Sequence, residues 1–220
     1  MLLVIDTSTA QVGLGLYDGT QMLGEMTWTT RQHHTTELAP SLAGLLARSG
    51  SSMDTVNSLG VAIGPGSFTS LRVGLSFVKG LALARSLPIV GVPTLDIIAA
   101  AQPVAKHPLI AVIQAGRGRI ALGWYKSSKN GWQAQGAARS GTVDELLNEI
   151  ESVTLVAGEL TSEERQKLTR RNVMLASPAN CTRRPSILAE LAWARLQENR
   201  IDEAASLAPI YLQVAGAPPA

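Results

Sequence analysis

The first 17 residues, MLLVIDTSTAQVGLGLY (1–17), decide the fold. Residues 2–5 form a short apolar run, which predicts a central strand buried on both faces. Residues 12–16 alternate apolar side chains with glycines, as expected of a second strand. The dipeptide Asp18-Gly19 then predicts a hairpin turn into a third strand over 22–28. The chain is therefore expected to begin with three strands.

The rest of the first hundred residues alternates helix and strand patterns. Thr36 and Gly50 are residue types typical of a helix N-cap and of the position after a helix end. Gly64-Pro65-Gly66-Ser67 forms a loop that opens a long helix. In chain order we predict a helix over 36–48, a strand over 59–63, a helix from the loop to about 87, a strand over 88–92, and a helix that Thr94 caps and that ends near 102.

The second half of the chain begins with a pattern similar to the first. Residues 4–17 align with residues 112–125 at a constant shift of 108, with five identities in fourteen positions. Self-similarity of this kind indicates duplicated units. The elements that follow keep the same order: a strand over 132–137, a helix over 142–151, a strand over 153–156, and helices over 162–169 and 185–199. We therefore expect an α/β fold of two duplicated lobes, 1–103 and a smaller, divergent 104–220.

Composition excludes several classes of protein. The chain has 220 residues, of which 45% are apolar and 16% charged, and this balance argues against disorder. Its net charge of +2 gives no sign of a strongly nucleic-acid-binding surface. Cys181, the single cysteine, can form neither an internal disulfide nor a cysteine-based metal site. Because the start does not resemble a secretory signal and no apolar stretch reaches about 18 residues, we expect a cytoplasmic protein without a membrane span.

Two stretches have the residue types of a nucleotide or anion site. Asp6 follows a buried strand and precedes hydroxyl side chains, a combination suited to orienting a metal-bound nucleotide. The loop at 64–67 opens a helix, and the free N–H groups of a helix start attract anions. Each stretch also has a structural explanation, in which Asp6 and Ser8 satisfy a turn and Ser67 caps the helix. The candidate residues are Asp6, Thr7, Ser8, Gly64, Gly66, Ser67 and Thr69.

No pattern of catalytic or metal-binding side chains accompanies these stretches. The histidines form neither His-x3-His nor His-Glu-x-x-His. Ser67 lies in no Gly-x-Ser-x-Gly motif, and the glycine loop lacks the Gly-Lys-Ser/Thr of a Walker A loop. The basic clusters at 165–171 and 183–184 have few aromatic neighbours, so we interpret them as mostly solvated faces with at most weak contact to RNA. The sequence predicts no catalytic residue and no metal site.

The first two long helices have wide apolar arcs. The apolar side chains of the 36–48 helix spread over roughly 200°, whereas covering one sheet face needs only about 100°. The second helix has a further apolar face with Val73 and Phe77. Two explanations are compatible with this excess: the helices pack on each other within the lobe, or they form an interface between proteins. The candidate interface residues are Leu38, Leu42, Leu45, Leu46, Leu71, Gly74, Leu75, Val78 and Ala82.

Several motifs together resemble one family. They are Ile5-Asp6-Thr7-Ser8, His34-Thr35 with Leu38 and Pro40, the motif GPGSFT-x-LRVG at 64–74, Lys79-Gly80-Leu81-Ala82 and, more loosely, PIYL at 209–212. The long Gly-Pro-Gly motif is the most specific of these. The chain is similar to the TsaB family, the bacterial dimerisation subunits of the complex that makes threonylcarbamoyladenosine in tRNA.

The resemblance implies an actin-like, sugar-kinase-type (ASKHA) fold in which each lobe has a mixed sheet flanked by helices. It implies a role in forming N6-threonylcarbamoyladenosine (t6A) at position 37 of tRNAs that read ANN codons. A subunit of this kind is expected to bind and activate the catalytic TsaD through its two N-terminal helices, with the ATPase TsaE completing the complex. Self-association when alone and indirect or weak contact with tRNA are also expected. No cofactor is expected, with ATP or ADP at the partner interface as the alternative.

The same resemblance argues against an enzyme. The metal-binding His-x3-His pair of TsaD falls on Thr94 and Ile98 here, and these side chains do not replace two imidazoles. Gln114 stands where an aspartate is common at the start of the second lobe. The alternative function is a metal-dependent glycoprotease-like hydrolase or a small ATPase that uses Asp6 and the 64–67 loop.

Overall fold

The chain forms two units, each built around one mixed sheet. This computed structural model describes residues 1–30, 33–116 and 118–212. Unit 1 consists of Met1–Gly64, Phe68–Thr94 and Arg183–Ile210, and the remaining described residues form unit 2.

The predicted division of the chain at 103/104 is therefore corrected in two places. Residues 95–103 belong to unit 2, and residues 183–210 return to unit 1 after the whole of the second sheet has been built. The sequence repeat suggested two contiguous lobes. In the structure, the helix after the first sheet packs in unit 2, and the helix after the second sheet packs in unit 1. Residues 213–220 of the predicted second lobe lie outside the described residues.

The sheet of unit 1 has the strand order β3-β2-β1-β4-β5. Strand β1 pairs antiparallel with β2 and parallel with β4, which makes it the central strand, as predicted. All five of its residues are buried, because helices cover both faces of the sheet. The described strands of unit 1 are β1 (Leu2–Asp6), β2 (Gln11–Tyr17), β3 (Met22–Thr29), β4 (Ser58–Ala62) and β5 (Ile89–Val92).

Three helices cover the sheet of unit 1. Helices α1 (His34–Arg48) and α2 (Phe68–Arg85) lie on one face, where Leu3 and Ile5 join their leucines in one hydrophobic core. Helix α6 (Pro185–Gln197) lies on the other face and contacts β1, β2, β4 and β5.

Glycines on the α6 face allow this helix to approach the sheet closely. A Cβ atom added at Gly60 would lie 2.9 Å from the Cβ of Ala192, and one added at Gly15 would lie 2.8 Å from Pro185. Such separations are too short for two carbon atoms, so larger side chains here would displace α6. The alternation of leucines and glycines in residues 12–16 therefore reflects two helices on one face and a closely packed helix on the other.

The sheet of unit 2 repeats the topology of unit 1. Its strand order is β8-β7-β6-β10-β11, in which the central strand β6 pairs antiparallel with β7 and parallel with β10. The described strands of unit 2 are β6 (Leu109–Gly116), β7 (Arg119–Ser128), β8 (Gly131–Ala134), β9 (Arg139–Gly141), β10 (Thr154–Gly158) and β11 (Val173–Leu175).

The expected repeat is thus present in the topology, with a shift in register. Val112 pairs with Leu122 and not with Gly123, the partner that the constant shift of 108 residues requires. A β-bulge between Gln114 and Gly116 adds one residue to β6 and moves the register by one position. Strands β9 and β11 were absent from our sequence prediction, because three residues are too few to produce a period-two pattern.

The helices of unit 2 also lie on both sides of their sheet. Leu95 and Ile98 of α3 (Thr94–Ala100) pack against alternate residues of β6, and α4 (Val143–Glu149) and α5 (Ser162–Leu168) pack against the others. Tyr125 donates a hydrogen bond of 2.8 Å to Asp96 Oδ1. Burial and the neighbouring carboxylate raise the pKa of Tyr125, so this phenol stays protonated.

Helix α1 starts earlier than predicted. It begins at His34 with His33 as its N-cap, and Thr36 lies in its first turn. Thr36 is therefore not the N-cap, and its hydroxyl donates instead to the His33 carbonyl at 3.1 Å. Within the described ranges, no helix combines the length and the apolar character needed to cross a bilayer.

Candidate functional site

Asp6, the candidate nucleotide ligand, forms a buried ion pair within unit 1. It is the last residue of β1, and its Oδ2 accepts a hydrogen bond of 2.6 Å from Nε of Arg183. Its other oxygen, Oδ1, accepts from the backbone N–H of Ser8 at 2.8 Å. The Asp6 side chain is 5% exposed and the Arg183 side chain is 0% exposed. Both carboxylate oxygens are therefore occupied by groups of the chain itself.

The guanidinium of Arg183 also contacts the turn between β1 and β2. Its Nη2 donates to Oγ1 of Thr9 and to the carbonyl of Gln11, at 3.0 Å in each case. The backbone N–H of Arg183 donates to Oε1 of Gln11, also at 3.0 Å. Our expectation that Arg183 lies on a solvated face was wrong. Its neighbour Arg184 is exposed, so only one member of the basic pair is drawn into the interior.

The hydroxyl groups that follow Asp6 are also engaged. Thr7 Oγ1 donates to the carbonyl of Ser70 at 2.7 Å. Ser8 Oγ and Thr94 Oγ1 share a hydrogen bond of 2.7 Å, and Thr94 Oγ1 accepts from the N–H of Gly64 at 3.0 Å. These bonds connect the end of β1, the end of β4 and the start of α3.

Gly64 meets a structural requirement at the start of the glycine loop. Its φ is +101°, in the left-handed region where side chains are disfavoured. A Cβ atom there would lie 2.8 Å from the carbonyl oxygen of Ile210. Because its N–H donates to Thr94, this amide is also committed within the chain.

The predicted nucleotide residues therefore separate into two groups. Asp6, Thr7, Ser8 and Gly64 meet in the buried network, whereas Gly66 and Ser67 are half-buried and Thr69 is exposed on α2. Among the described residues, every buried side-chain nitrogen or oxygen has a hydrogen-bond partner. The same residues contain no group of three or more His, Cys, Asp or Glu side chains placed to hold a metal ion. The network therefore does not fit a metal-bound nucleotide as a ligand of Asp6.

Unit 2 has an uncharged residue at the equivalent strand end. Gln114, which the shift of 108 residues places opposite Asp6, donates from Nε2 to Oε2 of Glu164 at 2.7 Å. The same amide nitrogen lies 3.3 Å from the carbonyl of Glu159. The Glu164 oxygen also accepts from the N–H of Thr161 in the capping box of α5. Gln114 thus binds local groups of unit 2.

The apolar residues predicted as a partner interface are buried inside unit 1. The hydrophobic core contains seven of them, and Leu71 and Gly74 are buried as well. Gly74 lies so close to Thr7 that an added Cβ atom would be 2.2 Å from its Oγ1. The interface prediction is therefore corrected: these side chains pack within the unit, and Leu38 in addition lines the groove described next. They are Leu38, Leu42, Leu45, Leu46, Leu71, Gly74, Leu75, Val78 and Ala82.

A groove lies on the outer side of the same two helices. Its volume is about 580 Å³, and we call it the outer groove. Phe68, 52% exposed, stands at its α2 end with the guanidinium of Arg72 3.7 Å above the ring centre. The residues that form the outer groove are Thr35, Leu38, Phe68, Thr69, Arg72, Val73, Ser76 and Phe77.

Small residues also occur on the exposed sides of both helices. Gly44 on α1 and Gly80 on α2 have no atom within 4 Å of a Cβ added at their positions. Ala43 and Ala47 are exposed beside Gly44, and Leu83 beyond Gly80 is 74% exposed. The two glycines cost helix stability without relieving any contact inside the chain. A flat surface of this kind permits close approach of another backbone.

The architecture defines the class of protein. YeaZ from Pseudomonas aeruginosa superposes with a TM-score of 0.81 at 23% identity, over 96% of this chain and 99% of that chain. A Bacteroides thetaiotaomicron protein with an actin-like ATPase fold superposes with a TM-score of 0.50 at 10% identity, over 87% of this chain and 95% of that chain. The chain is an α/β protein of the actin-like class, as predicted.

The sequence comparisons identify the family within this class. The family model for TsaD, tRNA N6-adenosine threonylcarbamoyltransferase, matches residues 23–213. The TsaB protein of Bacillus subtilis is 27% identical over 98% of this chain and 95% of its own length. The TsaB protein of Escherichia coli is 32% identical over 61% of this chain and 59% of its own length. The chain belongs to the TsaD family, and its resemblance to TsaB is confirmed by these relatives.

Arg183 is the residue of this buried network that sequence reasoning missed. It lies 177 positions from Asp6 in the chain. It sits beside Pro185, where a basic pair before a predicted helix is typical of a solvated helix start. Only the unequal burial of the two arginines distinguishes them, and the sequence contains no signal for that difference.

Proposed function

We propose that this chain is a non-catalytic, cytoplasmic subunit in the formation of t6A at position 37 of tRNAs that read ANN codons. In this proposal it binds a TsaD homologue and holds that enzyme in its active form. The proposal is supported by the TsaD family match and by relatives called tRNA threonylcarbamoyladenosine biosynthesis protein TsaB.

One observation carries the proposed binding role: α1 and α2 keep exposed apolar surface outside the packed core of unit 1. The inner leucines already form the core, and the outer groove leaves Phe68 half-exposed beside an apolar wall. Exposed apolar surface that is flanked by polar groups such as Arg72 and Ser76 is characteristic of protein–protein contacts. We therefore move the proposed interface from the buried leucines to this outer surface.

The proposal of a non-catalytic role rests on the side chains available in each unit. Asp6 is neutralised by Arg183, and Gln114 at the equivalent strand end carries no charge. Thr94 and Ile98, the positions that correspond to the TsaD metal ligands, are buried at 0% and 1% exposure. The alternative hydrolase or ATPase requires Asp6 as a ligand or base, and its engaged oxygens argue against that role.

The full assembly is proposed on the same basis. The outer surface of α1 and α2 serves the TsaD homologue, and in its absence two copies of the chain associate through it. A TsaE-type ATPase completes the complex, and tRNA is contacted indirectly or weakly. No cofactor is assigned to this chain.

Reconstitution tests the proposal. We expect a purified TsaD homologue from the same genome, with its ATPase and a supply of threonylcarbamoyl donor, to form t6A on tRNA only when this chain is added. Gly44→Arg should abolish the stimulation, whereas Glu190→Arg, on the exposed side of α6, should leave it unchanged. Equal t6A formation with and without the chain would contradict the proposal. ATP hydrolysis by the chain alone that is lost in Asp6→Asn would support the enzyme instead.

A further inference from the structure

We infer that Arg183 is a built-in cation, which takes the place that a metal-bound nucleotide would occupy at Asp6 and converts this strand end into an internal latch. The latch fastens residues 183–210 to the hairpin of β1 and β2. This inference concerns unit 1 alone and does not depend on the partner proposed above.

The geometry is that of a filled cation site. A carboxylate at the end of the central strand needs a positive partner when it is buried, since an isolated buried charge is strongly disfavoured. Arg183 provides that partner at 2.6 Å with a side chain that has no solvent exposure. The remaining Asp6 oxygen accepts from the N–H of Ser8, so each carboxylate oxygen already has a partner within the chain, and a second cation would have to share these oxygens with Arg183 and Ser8.

The guanidinium also satisfies oxygens that a nucleotide site would leave open. Its Nη2 donates to the Thr9 hydroxyl, in the turn that follows β1, and to the carbonyl of Gln11, the first residue of β2. A planar group with several fixed donors can bridge acceptors in this way, which a lysine ammonium does less well. A phosphate group in this turn would have to compete with bonds that are already formed and shielded from water.

Because of where Arg183 lies in the chain, its ion pair with Asp6 holds the start of the returning segment on the sheet. Arg183 is the first residue of the segment that returns to unit 1, and Arg184 is the N-cap of α6. A Cβ atom added at Gly13 would lie 3.0 Å from Pro185, so the helix start lies against β2 directly beside the ion pair. The ion pair therefore fixes where α6 begins on the sheet.

Thermal unfolding of the full chain tests the latch through a set of four variants. Removing one partner of a buried ion pair leaves an uncompensated charge, so we expect Asp6→Asn and Arg183→Gln each to lower Tm by about 10 °C. The double variant Asp6→Asn/Arg183→Gln restores a neutral pair of amides. We expect the Tm of the double variant to be at least about 5 °C higher than the value obtained by adding the two single losses. Arg184→Gln, the exposed neighbour, should shift Tm by less than about 2 °C.

Titration with Mg–ATP tests whether the cation site is filled. We expect wild type and Asp6→Asn to give the same binding heat, so that no part of the heat depends on Asp6.

A further variant covers the case in which Arg183→Gln does not fold. Arg183→Lys keeps the charge but loses the planar donors, and we expect an intermediate loss of Tm. Equal Tm values for Arg183→Gln and Arg184→Gln, additive losses in the double variant, or Asp6-dependent binding of Mg–ATP to wild type would each overturn the inference. The Tm results do not test binding of the TsaD homologue or the stimulation of t6A formation, so the ion-pair inference and the proposed partner role can fail separately.

Discussion

The two faces of the layer formed by α1 and α2 differ in how strongly packing within the chain restricts their side chains. On the inner face, Leu75 and Val78 are 5% and 0% exposed and touch the core of unit 1. On the outer face, Gly44 and Gly80 have open space where a side chain would begin. The inner face is shaped by packing inside the chain, whereas the glycines of the outer face relieve no contact within the chain. One apolar arc that looks continuous in sequence thus has one side buried in the core and one side exposed.

The largest expected effect comes from a charge on the inner face. Leu75→Glu places a carboxylate in the core without a partner, so we expect a loss of about 4–5 kcal/mol or more in the free energy of unfolding. Loss of the far-UV circular dichroism signal or of a cooperative thermal transition would report it. The matched control is Ser76→Glu, one residue further and exposed, which should leave folding intact. If Leu75→Glu stays folded and only loses association, the two faces have been assigned in reverse.

Two glycine-to-alanine substitutions compare the stability of the two faces with a smaller change than Leu75→Glu. Gly74→Ala introduces a Cβ atom 2.2 Å from Thr7 Oγ1, which is held by its bond to Ser70, so we expect a destabilisation of about 1–3 kcal/mol. The methyl group added by Gly80→Ala has no atom within 4 Å of its position. Because alanine loses less backbone entropy than glycine when a helix forms, we expect the free energy of unfolding to rise by about 0.5–1 kcal/mol. Urea denaturation of both variants gives the comparison. If Gly74→Ala stabilised the chain as Gly80→Ala is expected to, the close approach at Gly74 would have no energetic consequence.

The smallest expected effect is at the rim between the two faces. Trp28 Nε1 donates to Oε2 of Glu37 at 2.9 Å, and this bond lowers the pKa of Glu37 below its ordinary 4.5. A lowered folded-state pKa means that the contribution to stability is complete above pH 4.5 and is lost as pH falls through the folded value. Carboxyl NMR titration of wild type and of Trp28→Phe should give a higher pKa in the variant. An unchanged Glu37 pKa in Trp28→Phe would remove the assigned cause.

Local patterns predicted much of the fold. The apolar run 2–5 is the central strand, and the order of elements in the two halves reflects the repeated sheet topology. What failed depends on contacts between distant parts of the chain. Nothing near residue 185 indicates that this helix packs on the first sheet, because its partners include Gly15 and Gly60, far away in sequence.

The sequence predicted which residues lie together at the candidate site, but it did not predict what they bind. Asp6 and Ser8 do lie together at a strand end, as their position after a buried run indicated. Their partner Arg183 is supplied by the returning segment, and an arginine before a helix is ordinarily solvated. The wide apolar arcs were found as well, but a helical wheel cannot tell which side of an arc faces the sheet.

Light scattering of the chain mixed with the TsaD homologue from the same genome tests the central claim most directly, namely that the outer face of α1 and α2 binds a partner. We expect wild type, Gly80→Ala and Glu190→Arg to form a one-to-one complex. Gly80→Arg, folded as judged by circular dichroism, should remain separate from the homologue. Formation of the one-to-one complex by Gly80→Arg and Gly44→Arg with the same affinity as wild type would contradict the claim.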